Sequence, residues 1–124
     1  PAAEDARRAR SGVRLVNPGV VTDAASLELE LEPVPTDQVV EGAPATGYAE
    51  LTETIGVWEH TPGTSTDVES DEVFVVLSGS ATVSFDDPAL EPIELRAGSV
   101  ARLTVGMRTV WTVRETLRKV YIAG

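Results

Sequence analysis

The sequence contains no cysteine. That removes disulfides, thiolate metal ligands and cysteine nucleophiles together, and it fits a reducing compartment, so a cytoplasmic location is expected. Histidine is nearly absent as well: His60 is the only one in the chain. No apolar run approaches the ~20 residues of a membrane-spanning helix. The opening segment PAAEDARRARSG carries charge with no apolar stretch behind it, which is not the pattern of a signal peptide. Basic residues are outnumbered, 10 against 20 acidic ones, for a formal net charge of −10. A surface that negative repels phosphate backbones and anionic lipid, so neither nucleic acid nor membrane is expected as a partner. A phosphate-binding loop, a dinucleotide glycine fingerprint, HExxH and GxSxG are all missing, which leaves the common nucleotide, zinc-protease and serine-hydrolase chemistries without their motifs.

What is present is enough for one folded unit. The 124 residues suit a single domain, and 42% hydrophobic residues suffice for one core. The pattern predicts residues 1–12 as a flexible tail or an arm lying on a partner, and residues 13–124 as an all-β domain. Strands are expected at 13–16, from Ser26 through the Leu27/Leu29/Leu31 and Glu28/Glu30/Glu32 alternation, at 49–60 with a bend at Gly56, and at 72–77 and 80–85 around a Ser78-Gly79 turn. Further strands are expected at 93–95, 100–104, 109–113 and 117–122. The stretches VVEGAPATG and TPGTSTDVESD read as loops. Short strands with turn signals every few residues indicate a β-sandwich or barrel.

Four short patterns narrow this further. Glu72, six residues and Gly79 match the end of one motif. Gly98, Thr104, Gly106 and Thr109 hold the spacing of a second, with threonine where proline and histidine are usual. GVWEHTPG and the ending GMRTVWTVRETLRKVY supply two more. In order and at these spacings, residues 36–123 resemble the cupin superfamily, and within it small single-domain cupins similar to ureidoglycine aminohydrolases. The resemblance implies a double-stranded β-helix, the jelly-roll barrel. It also implies a metal held by three histidines and a glutamate, but those histidine positions hold Ser65, Asp67 and Thr109 here, and only Glu72 remains. No cofactor is therefore expected. If a divalent metal such as Mn, Fe, Ni or Zn does bind, its ligands would be Asp67, Glu72 and His60.

Candidate roles follow from chemistry. An inward Glu72 would serve as acid or base, or else as a hydrogen-bonded strand-end carboxylate. His60 is the best proton shuttle if it faces the cavity, and a rim residue if it does not. Trp58 and Trp111, with Tyr48, would form a ligand-stacking wall or simply core. Thr109 would donate a hydrogen bond, and an inward Arg102 or Arg108 would bind a substrate carboxylate. Arg114, Arg118 and Lys119 are expected in surface ion pairs. The resulting expectation is a metal-independent small-molecule-binding cupin, a homodimer through its N-terminal strands. The alternatives are an isomerase, lyase or aminohydrolase using Glu72, and a dimeric structural module with a filled barrel.

Overall fold

The computed structural model describes residues 16–124. The expected tail and all but the last residue of the first expected strand lie outside the described residues. Among the described residues there is no α-helix, only one 3-10 turn at Thr36–Gln38 and nine strands. They are β1 (Glu32–Pro33), β2 (Val39–Glu41), β3 (Ala45–Glu50), β4 (Ile55–His60), β5 (Gly63–Val68), β6 (Glu72–Phe85), β7 (Ile93–Arg96), β8 (Val100–Leu103) and β9 (Arg108–Ala123).

Two long strands organise the rest. β6 and β9 pair antiparallel along most of their length, and register shifts between Val76 and Ala81 bend the pair in its middle. On one side of the bend, β8 flanks β6 while β4, β3 and β1 extend the sheet beyond β9. On the other side, β7 flanks β6 while β5 and β2 extend it. The two halves face each other and enclose Trp58, Phe74, Val83, Leu95, Leu103, Trp111, Leu117 and Tyr121. The contact of Phe74 from the first half with Trp111 from the second, at 5.9 Å between ring centroids, closes the interior. A strongly curled all-β barrel of the expected class results.

Several expected boundaries move. Ser78 and Gly79 do not make a turn; β6 runs straight through them as its bend. Gly79 has φ +94° there, and a Cβ would collide with the backbone of Thr116 on β9, so only glycine lets the strands cross this closely. The single strand expected over 49–60 is a hairpin: β3 ends at Glu50, and the Thr52 hydroxyl accepts N–H bonds from Thr54 and Ile55 to form the turn. Gly56 is not the bend; its missing side chain makes room for the Tyr121 phenol. The two stretches read as loops contain β2, the start of β3 and all of β5.

The Leu/Glu alternation holds as burial, with Leu27, Leu29 and Leu31 half-buried and Glu28, Glu30 and Glu32 exposed. It does not hold as a strand, since only Glu32–Pro33 joins a ladder. The segment is tied down instead by Arg118 of β9, whose guanidinium donates to the carbonyls of Ala24 (3.0 Å) and Leu27 (2.6 Å) and pairs with Glu59 at 2.8 Å. Arg118 and Lys119 are therefore buried rather than on the surface, at 8% and 0% exposure. Arg114 keeps its expected exposed pairing, with Glu94 at 3.0 Å.

Candidate functional site

Strand parity decides which side chains enter the barrel. On β9 the odd positions from Thr109 to Tyr121 face in, apart from the exposed Glu115 at the bend, and Thr109, Trp111, Val113, Leu117, Lys119 and Tyr121 are all buried. β5 pairs with the first part of β9, setting Asp67 opposite Thr109 and Ser65 opposite Trp111. β4 pairs with the second part, setting Trp58 opposite Lys119 and His60 opposite Leu117. One strand thus collects the polar residues of two others onto one inner wall.

His60 is 1% exposed and fully engaged. Its Nδ1–H donates to the Thr61 carbonyl at 2.6 Å, which leaves Nε2 to accept the Ser65 hydroxyl at 2.8 Å. Burial lowers its pKa, and the Lys119 charge lowers it further against the opposing effect of the Thr61 hydrogen bond, so the imidazole is neutral. His60 and Ser65 form a hydrogen-bonded pair rather than a rim residue and a loop residue.

Asp67 is the carboxyl poised to titrate. Burial, and then the negative charge of Glu69, push its pKa up to about 7 against a hydrogen bond from the Val68 N–H at 2.8 Å. Glu69 is 2% exposed, and its Oε2 accepts the Thr109 hydroxyl at 2.5 Å and the Trp111 indole N–H at 3.0 Å. The sequence reading passed over Glu69. The only signal for it was parity: it lies two residues past Asp67 on the same side of an extended chain.

Glu72 faces inward as expected and is 2% exposed. Its Oε2 lies 2.6 Å from the Lys119 ammonium. That ammonium lies 4.5 Å from the ring centres of Trp58 and Phe74 and 4.9 Å from Trp111. The two tryptophans are in contact, with centroids 5.4 Å apart, and Tyr48 is partly buried against the same cluster. Arg102 does not join this group; it lies exposed on the outer side of β8, because its inward neighbours are Ala101 and Leu103.

The polar part of the interior wall borders an open depression. This depression, of about 380 Å³, is lined by Asp67 and Thr109 together with Gln38, Thr66, Phe85 and Arg108. Asp67 and Thr109 are the residues that belong both to the inner wall and to this depression. Its lining includes a carboxyl whose pKa burial raises to about 7 and the exposed guanidinium of Arg108, while the Thr109 hydroxyl is turned to Glu69.

The residues present do not fit the metal that the resemblance implied. Among the described residues, no group of three or more His, Asp or Glu side chains is arranged to hold an ion. Both ring nitrogens of His60 are occupied, and Glu72 is directed at an ammonium. Of the expected set, Asp67, Glu72 and His60 are thus each held by other partners.

Comparison with known proteins agrees with the fold. A family model described as EutQ-like cupin domain matches residues 49–121. Among solved structures, the chain is similar to a cupin-like protein from Thermotoga maritima, with TM-score 0.57, 11% identity, and coverage of 79% of this chain and 80% of that one. It is similar to a protein of unknown function from Acidithiobacillus ferrooxidans, with TM-score 0.58, 18% identity, and coverage of 84% and 100%. It is also similar to a protein of unknown function from Pseudomonas syringae pv. tomato, with TM-score 0.65, 19% identity, and coverage of 78% and 44%. At these identities the likeness concerns the fold alone. No curated protein matches the chain.

Proposed function

Because the chain belongs to the EutQ-like cupin domain family, we propose that it binds a small polar metabolite, without a metal, in the depression that Asp67 and Thr109 share with the barrel interior. The observation that carries this reading is that Asp67 and Arg108, groups of opposite character, line one opening of about 380 Å³. Asp67 suits a hydrogen-bond donor on the ligand, an amine, amide or hydroxyl, and Arg108 suits a carboxylate or another acceptor at the opposite end. Phe85 supplies an apolar surface in the same lining. In this reading Trp58, Trp111 and Tyr48 form the barrel's packed centre rather than a stacking wall, and of the two arginines considered for a substrate carboxylate, Arg108 rather than Arg102 takes the role. The homodimer through N-terminal strands and the cytoplasmic location belong to the same proposal. No described helix is long and apolar enough to cross a membrane.

A calorimetric and thermal-shift screen of small amino acids, ureido acids, amides and polyols tests it. Binding should weaken at least tenfold in both Asp67→Asn and Arg108→Ala. A ligand whose affinity ignores both substitutions, or a screen with no hit from these classes, would sink the reading.

A second reading is favoured by the place of Asp67, which lines the depression and whose pKa burial and the neighbouring Glu69 raise to about 7. Here the chain is an isomerase, lyase or aminohydrolase-type enzyme in which Asp67 moves the proton. Glu72, the residue first considered for that role, is held by Lys119. Turnover should then follow a single ionisation near pH 7 that disappears in Asp67→Asn. Full activity in that variant would exclude this mechanism.

A further inference from the structure

The interior holds a positive charge that belongs to the chain itself. Lys119 is fully buried, its ammonium lies 2.6 Å from Glu72, and the faces of Trp58, Phe74 and Trp111 surround it at 4.5 to 4.9 Å. Three aromatic faces around one nitrogen favour its charged form, because ring quadrupoles attract a cation more strongly than a neutral amine. The Lys119 charge also reaches His60 and Asp67, where it counts among the groups acting on each. It therefore stands among the residues from which a metal site of this fold would be assembled.

We propose that Lys119 is a built-in cation: its ammonium takes the place of a metal ion at the centre of the barrel, balancing Glu72 and filling a site whose own chemistry is that of an ammonium receptor. A carboxylate with three aromatic walls is a set of groups that selects a primary ammonium over a divalent metal. β9 supplies that ammonium from an inward position between Leu117 and Tyr121. The inference does not depend on the ligand proposed for the depression, since it concerns Glu72 and the aromatic centre.

Two measurements test it. In Lys119→Ala, the lost atoms correspond to propylammonium. Propylammonium chloride should raise the melting temperature of that variant saturably, sodium chloride at equal ionic strength should not, and wild type should respond to neither. If Lys119→Ala folds only with the amine, the yield of refolding from urea gives the same readout. No difference between the two salts would overturn the proposal. The second measurement compares Lys119→Met, Glu72→Gln and the double variant. Each single change leaves one partner buried without its counterpart, so the double should be more stable than the worse single variant. A double variant at or below that single variant would overturn it. So would saturable stabilisation of wild type by Mn²⁺, Ni²⁺ or Zn²⁺ that Glu72→Gln abolishes.

Discussion

Asp67→Asn should change how stability depends on pH, and the direction follows from the site. The folded-state pKa of Asp67 is raised from 3.8 to about 7 by burial and by Glu69. A raised carboxyl binds its proton more tightly in the folded chain than in the unfolded one. Its contribution to stability is fully present below 3.8 and is lost as the pH climbs through about 7. At about 1.36 kcal/mol per unit, a fully expressed shift would be worth about 4 kcal/mol. Solvent reaches this half-buried group through the depression, so about 1–2 kcal/mol is the realistic size. The asparagine amide cannot titrate, so the variant lacks this loss. Urea denaturation of both proteins between about pH 4 and about pH 8 measures it. The variant should gain about 1–2 kcal/mol on wild type across that range, with most of the change before neutrality. His60 acts in the opposite sense, because its lowered pKa gives stability that is lost as the pH falls below 6.5; it is present in both proteins and cancels in the difference. Glu69→Gln should shrink the effect by removing the second cause of the shift. A difference that stays constant across the range would refute the reasoning, because Asp67 would then titrate as an ordinary surface carboxyl.

Three further outcomes follow from packing and hydrogen bonding. Gly56→Ala should cost about 1–3 kcal/mol in a denaturation experiment, since the added methyl overlaps the Tyr121 ring in the interior. Trp111→Phe should cost about 1–3 kcal/mol through the lost indole donor to Glu69, and Phe at this position keeps most of the packing. Arg118→Met removes the clamp on the Ala24 and Leu27 carbonyls, so limited proteolysis should cut within residues 24–31 well before it cuts wild type; equal rates would show that the half-buried leucines alone hold the segment.

The fold class was legible because the strongest strands alternate. Phe74 and Val76, then Ala81 and Val83 on β6, and Trp111 and Val113, then Leu117, Lys119 and Tyr121 on β9, are buried at alternate positions on either side of the bend, and that period survives any error in where a strand ends. β5 was missed for the opposite reason. Its inward residues are Ser65 and Asp67, so no apolar alternation marks it, and the nearby Pro62 and Gly63 read as loop. Thr64, Thr66 and Val68, all β-branched, were the available strand signal. The resemblance nevertheless set Asp67 and Thr109 at ligand positions of one site, and the β5–β9 ladder is what brings the two together. Glu72 was placed correctly as inward, but its partner was not foreseen, because a lysine beside an arginine near the chain end reads as surface charge. Parity would have corrected this: Lys119 shares its side of β9 with Leu117 and Tyr121, so burial of those two forces the lysine inward as well.

That parity is what makes β9 the assembling element of the site. Its partner changes from β5 to β4 between Val113 and Leu117, while its pairing with β6 continues on the other side. The odd residues of one strand thereby meet Asp67 and Ser65 at one end and Trp58 and His60 at the other. The His60–Ser65 hydrogen bond links the two flanking strands across the point where the partner changes. A one-residue slip of β9 would turn Thr109, Trp111 and Lys119 outward, take the buried Glu69 and Glu72 away from the groups they bond here, and bring the exposed Arg108 and Arg114 toward the core. The bulged bend at Gly79, which only glycine permits, and the Glu72–Lys119 pair therefore favour the same register from the middle and from one end of the β6–β9 pairing. The charged pair inside this barrel specifies the strand alignment on which the polar wall depends.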